Sequence, residues 1–204
     1  MRRKLVAALF IFLFTQAIRA NEIKAMAGIN FSKYLFSGPI DSLNRQQKTG
    51  CDFGFGCIFD INMNLKLEIN AFYSQRGAKV SIAYTPDTTV SGYYKNITIN
   101  FPLLFKYQFT DKASPYIALG PEFIFVTAHH LIFPESGDVL DLIDNTKKFI
   151  LALDAVLGYE WPLGQWGLSA EIRYSRRLGN LLIHPEAKVG SESVTFLLGG
   201  VYYL

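Results

Sequence analysis

"NITINFPLLFKYQF", Asn96 to Phe109, sets an apolar side chain at every second position: Ile97, Ile99, Phe101, Leu103, Phe105, Tyr107 and Phe109. A strand turns alternate residues to opposite faces, so one face of this segment is an unbroken aliphatic and aromatic ladder. The other face carries Asn96, Thr98, Asn100, Pro102, Leu104, Lys106 and Gln108. The ladder must lie against either a protein core or lipid, and the rest of the chain bears on which.

The same alternation recurs at Ile23 to Tyr34, Asp52 to Ile61, Leu65 to Ser74, Tyr116 to Val126, Phe149 to Trp161, Leu168 to Ser175 and Val194 to Leu204, which makes eight strands. The connections alternate in length. "INMN", "TDKAS" and "PLGQ" are short, whereas "SGPIDSLNRQQKTG", "QRGAKVSIAYTPDTTVSG", "AHHLIFPESGDVLDLIDNTKK" and "RRLGNLLIHPEAKVGSES" are long. In an up-and-down barrel consecutive connections fall on opposite ends, so all long loops emerge at one end and all short turns at the other, the layout of an outer-membrane barrel. Loops two and three either extend their strands or hold a short helix, "DVLDLID" having helix-like spacing. The predicted fold is all-β: an eight-stranded antiparallel up-and-down transmembrane β-barrel, with four long extracellular loops and short periplasmic turns.

Composition agrees with that class. The chain has 204 residues, enough for one domain, and is 50% hydrophobic and 15% aromatic, with 17 Phe and 11 Tyr. A net charge of +3 without a dense basic cluster in the mature chain excludes nucleic acid as a partner. Arg2, Arg3 and Lys4 precede an apolar run from Leu5 to Phe14, and "TQAIRA" ends at Ala20, which reads as a signal peptide over residues 1–20 and a barrel domain over 21–204. That run is shorter than the roughly 20 apolar residues of a transmembrane helix. Cys51 and Cys57 lie about 20 Å apart if both sit in one extended strand, which predicts two free thiols. Only an irregular segment between them would bring them together.

Alternation alone does not separate a transmembrane barrel, apolar outward, from a soluble lipocalin-like periplasmic carrier, apolar inward. In the soluble barrel the charged faces are simply solvated. In the membrane barrel they converge in a narrow lumen and must pair. Lys24, Lys66, Lys106 and Arg173 stand against Glu68, Glu122, Asp154, Glu160 and Glu171, a near balance that suits a paired lumen. Tyr73, Tyr107, Phe109, Tyr159, Trp161, Tyr174 and Tyr202 fall near strand ends on the apolar face, where interfacial girdles sit. Pro102 removes a ladder donor and is placed at a bulge on the lumen side.

The segment "NITINFPLLFKYQFTDKASPYIALGPEF" resembles the outer membrane β-barrel domain family of the PorT-like type, small barrels in the size class of OmpA and OmpX. It matches that family's "I-P-L-L-x-K-Y" strand, short turn and "P-Y-x-x-x-G-P" strand. Weaker likeness lies in "LKLEINAFYSQRGAKV" and "LSAEIRYSRRLGNL". The C-terminal "LLGGVYYL" looks like the aromatic signal read by the outer-membrane insertion machinery, with Gly199, Tyr202 and Leu204 at motif positions. It ends in Leu rather than Phe and has Leu197 where a polar residue is usual. The resemblance implies a bacterial outer-membrane address, with outer-membrane lipid and the insertion machinery as partners. It also implies an association with an envelope or secretion complex.

Chemistry-bearing constellations are sparse. His129 and His130 precede Glu135, Asp138, Asp141 and Asp144, ligand types without an HExxH pattern or regular spacing. His184 with Ser191 or Ser193 lacks an acid partner and a nucleophile elbow. Arg176 and Arg177 are candidates for gripping lipopolysaccharide phosphates at the outer rim; otherwise they are solvated loop cations. The expectation is a non-enzymatic barrel without cofactor or metal, its lumen filled by paired charges, in a structural, adhesion or envelope-secretion role. A lipid-modifying enzyme or protease with catalytic loop residues is the alternative.

Overall fold

The computed structural model describes residues 20–37, 44–85, 88–110, 114–182 and 188–204. The signal-peptide reading, and His184 with it, lies outside the described residues. Eight long strands form the wall: β1 (Glu22–Ser37), β2 (Asn44–Asp60), β3 (Leu65–Thr85), β4 (Thr88–Gln108), β5 (Ser114–Phe133), β7 (Phe149–Leu163), β8 (Trp166–Arg177) and β9 (Lys188–Tyr203). A short β6 (Asp138–Asp141) folds back on the end of β5. Each long strand pairs antiparallel with its chain neighbour, and β1 pairs with β9 from Glu22↔Tyr203 to Ser37↔Lys188, which closes the ring.

The short turns follow from their residues. Asn62 Oδ1 accepts from the backbone N–H groups of Asn64 and Leu65, a side-chain-closed turn between β2 and β3. Gly164, at φ 74°, supplies the left-handed residue of the tight hairpin from Leu163 to Trp166. At the other end the strands run well past the membrane thickness. β3 and β4 have 21 residues each, and the stretch read as the second long loop is largely their continuing ladder. "DVLDLID" is not an α-helix: Asp138–Asp141 is β6 and Ile143–Asn145 a single 3-10 turn, because Val139 and Leu140 pair with Ile132 and Leu131.

The apolar rows face outward. Leu153, Leu157 and Ile172 are 44%, 57% and 46% exposed, while Glu171 between two such rows is 4% exposed. A soluble barrel with an apolar core requires the reverse, so that alternative fails. Aromatic pairs ring the wall at two levels. Tyr107–Phe109, Tyr159–Trp161 and Trp166–Tyr202 lie at the short-turn end, with ring centroids 5.3, 4.5 and 4.7 Å apart. Phe53–Tyr73, Phe101–Phe125 and Phe125–Phe149 lie at the long-loop end, at 4.7, 5.8 and 5.3 Å. Between the two levels β7 runs from Phe149 to Tyr159. That length suits the roughly 10 residues a tilted strand needs to cross hydrocarbon.

Two finer expectations separate. Cys51 and Cys57 are free thiols. Pro102 does face the lumen, buried opposite Glu122, but no bulge lies there. The β3–β4 register is the same on both sides of it; the pairing merely lapses where Asn70 and Ala71 stand opposite Phe101 and Pro102. A lapse releases the missing donor without inserting a residue. The register shifts fall instead at Ile97/Thr98, between Gln47 and Asp52, and between Ala83 and Thr85.

Candidate functional site

The alternation that turns Leu and Phe outward turns the polar residues of every strand inward, and they meet in stacked layers. At the short-turn mouth Lys66 contacts Glu22 and lies 3.6 Å from Asp60, while Lys106 Nζ is 2.6 Å from Glu160 Oε2. Tyr203 donates to the other Glu160 oxygen at 2.8 Å. Glu22, Asp60, Lys66, Glu160 and Tyr203 border an open recess of about 470 Å³.

One level deeper, Lys24 reaches from β1 across to Glu171 on β8 and lies 3.6 Å from Glu68. Tyr116 donates to Glu171 at 2.7 Å, and its ring sits 4.2 Å beneath Lys106 Nζ. Gly158 makes room for that ring: a Cβ there would stand 2.2 Å from Tyr116 Cζ. Arg173 Nη2 holds the second Glu171 oxygen at 3.1 Å, with Nη1 4.0 Å from Asp154. Above this, Arg76 Nη2 lies 3.0 Å from Glu122 Oε1, and Ser175 donates to Glu122 Oε2 at 2.6 Å. Asp52 accepts from Asn30 at 2.8 Å and from Thr195 at 3.1 Å.

The outer end changes character. Tyr34, Ala78, Val126, Ile150, Leu181 and Val189 pack as an apolar plug. Leu181 is brought inside by the backbone: its N–H donates to Val189 O, its carbonyl accepts from Lys147, and Thr146 bridges to Leu182. His129 anchors the plug. Thr146 Oγ1 donates its proton to Leu142 O at 2.7 Å. The same oxygen is therefore the acceptor for His129 Nδ1, at 2.7 Å, and Nε2 is left to accept from Tyr34 at 3.5 Å. Burial first, and Arg177 second, lower His129 to about 4, which keeps it neutral.

The lumen thus gathers Lys24, Lys66, Glu68, Lys106, Glu122, Asp154, Glu160, Glu171 and Arg173, with Lys66 and Asp60 at the mouth. Sequence reasoning missed Glu22, Arg76 and Asp52 as members. Glu22 stands one residue before the first apolar position, Arg76 beyond the clean alternation of its strand, and Asp52 shares its face with two glycines. Arg177 is a correction. It points into the barrel, 5% exposed, so it cannot reach lipid at the rim; the parity of β8 turns Arg176 outward instead, opposite Glu192. Among the described residues no hydrogen-bond partner meets any Arg177 guanidinium nitrogen.

Among the described residues the chemistry candidates do not assemble. Ser191 and Ser193 are buried lumen residues, His129 is committed to the plug, and His130 lies 3.9 Å from Asp141 on the exposed side of the outer hairpin. Among the described residues no group of three His, Cys, Asp or Glu is disposed to hold a metal.

Comparison with known proteins agrees with this architecture. Among solved structures the chain is similar to the Neisserial surface protein A, NspA, at TM-score 0.52 and 12% identity, covering 89% of this chain and 97% of that one. It is similar also to the outer membrane protein OprG from Pseudomonas aeruginosa, at 0.50 and 12%, covering 91% and 96%. No curated protein matches. The family model described as "Outer membrane protein beta-barrel domain" matches residues 14–182. Residues, wall and comparison converge: the chain belongs to the outer membrane protein β-barrel domain family and is a protein of the bacterial outer membrane.

Proposed function

We propose that the protein is a non-enzymatic, closed barrel that carries its outer strands and loops as a recognition surface, in an adhesion or envelope-secretion accessory role. One observation carries the closed reading: ion pairs Lys106–Glu160, Lys24–Glu171 and Arg76–Glu122 cross the lumen at successive depths, and Leu181 caps them. A solute passing through would separate each pair at a cost of several kcal/mol. The recognition reading rests on strand length. β3 and β4, at 21 residues each, are about twice what the hydrocarbon needs, and so raise a hairpin above the surface.

The full chain reconstituted in planar bilayers is expected to give no discrete conductance steps. Stable ion-selective openings would overturn the closed reading. We further propose that Gly199, Tyr202 and Leu204 are read by the insertion machinery, so that Tyr202→Ala lowers the amount of folded barrel recovered from outer membranes.

A further inference from the structure

Three lysines share the outer wall just above the upper aromatic ring. Lys79 alternates with buried Ala78 and Val80 on β3, and Lys95 with buried Asn96 on β4, so both side chains leave the lumen. Lys48, on β2 within the irregular stretch between Gln47 and Asp52, lies across Gly77, where an added Cβ would stand 3.0 Å from its Cδ. Its ammonium sits 3.9 Å from the Tyr93 ring centroid. Gly77 pairs with Lys95, and Tyr93 with Lys79, so one small cell of the ladder collects all three cations.

Burial, then Lys95 and Lys79, lower Lys48 to about 8. That repulsion is unrelieved: among the described residues no carboxylate forms an ion pair with any of the three, whereas Lys33, on the same wall, holds Glu192 at 2.7 Å. Gly77 stands four residues above Tyr73 on β3. That places it about 10 Å higher along the membrane normal for a strand tilted by roughly 40°. The headgroup layer is about 5–8 Å thick on each side, so Gly77 stands at its outer edge, within reach of the lysine stems. Lysine stems reach along apolar wall while their ammonium groups stay in the polar layer, and an ammonium suits a phosphate as a point charge.

We propose that Lys48, Lys79 and Lys95 form a binding site on the barrel's outer wall for the phosphate groups of an anionic lipid headgroup in the outer leaflet. The occupant is membrane lipid, not a soluble anion, because the site opens sideways onto the bilayer at headgroup depth. Tyr93 positions the middle cation, and Gly77 clears its path.

The test uses the full chain refolded into nanodiscs of zwitterionic lipid with a minor fraction of bisphosphorylated lipid A or its dephosphorylated form, bound lipid being read by native mass spectrometry. Wild type is expected to retain the bisphosphorylated lipid, with about a fivefold loss per lysine removed and roughly a hundredfold loss in K48Q/K79Q/K95Q. K33Q and the corresponding triple arginine variant should stay near wild type. Equal retention of the dephosphorylated lipid overturns the proposal. So does equal loss in K33Q, or displacement of the lipid by inorganic phosphate at equal concentration. Should the triple glutamine variant fail to fold, wild type alone decides: retention must fall as ionic strength rises, and indifference to salt rejects the site.

Discussion

Arg76 of β3 and Glu122 of β5 meet inside the barrel at 3.0 Å although β4 separates their strands in the wall, so the pair bolts the ring across its own interior. Removing one partner strands the other charge out of water. Glu122→Ala is expected to lower unfolding free energy by about 3–5 kcal/mol, while Arg76→Met combined with Glu122→Leu recovers most of it. Denaturant titration of the barrel in lipid vesicles, followed by heat-modifiable gel mobility, measures both. A double variant as weak as the single would show that lost packing, not a stranded charge, sets the cost.

Gly158 yields its side-chain space to the Tyr116 ring, whose hydroxyl serves Glu171. Gly158→Ala should therefore cost about 1–3 kcal/mol through overpacking. Gly200→Ala, where an added Cβ meets nothing within 4 Å, should be close to neutral. The same unfolding assay compares them, and equal effects would refute the steric account.

Arg177 is buried without a hydrogen-bond partner among the described residues, and a guanidinium keeps its charge at any pH a protein meets. A buried ion without a partner opposes folding. Arg177→Met, similar in reach and apolar, is expected to raise stability by about 2 kcal/mol. A fall in the unfolding midpoint would mean that the guanidinium holds the plug together.

His129 is neutral in the folded protein, its value about 4 lying below the ordinary 6.5 of an unfolded histidine. Between those values the unfolded chain binds a proton that the folded chain refuses, so stability falls as pH drops from about 6.5 toward 4. The full effect is roughly 3 kcal/mol. Tyr34, Tyr94, Thr146 and Arg177 face or surround the ring, His130 adds to the repulsion, and the pull of Asp141, the weakest of the charged influences, does not offset them. Unfolding midpoints at pH 7 and 4.5 for wild type and His129→Gln test this: the variant should lose less on acidification, and parallel losses would point to the lumen carboxylates instead.

Lys106 and Glu160 lie in segments of strict period-two alternation, so their common inward side could be read from the chain alone, and the fold class with it. Arg76 was harder. In "SQRGAKV" no apolar alternation announces that the strand continues, because above the hydrocarbon the outer wall no longer needs greasy residues. The plug was not legible at all: Leu181 is inside because Val189 and Lys147 hold its backbone there, contacts set by closure rather than by local pattern. Lys48 was hidden for a related reason, since the shift between Gln47 and Asp52 breaks the parity that would assign its face.

The seam between β1 and β9 joins the first strand made to the last. Until Tyr203 is in place both strands present rows of unanswered amides and carbonyls, and a half-synthesised chain is an adhesive ribbon rather than a smaller cylinder. Ring completion is therefore a single late event. Without β9 the wall would keep two open edges, one on β1 and one on β8, each a template for pairing with another chain.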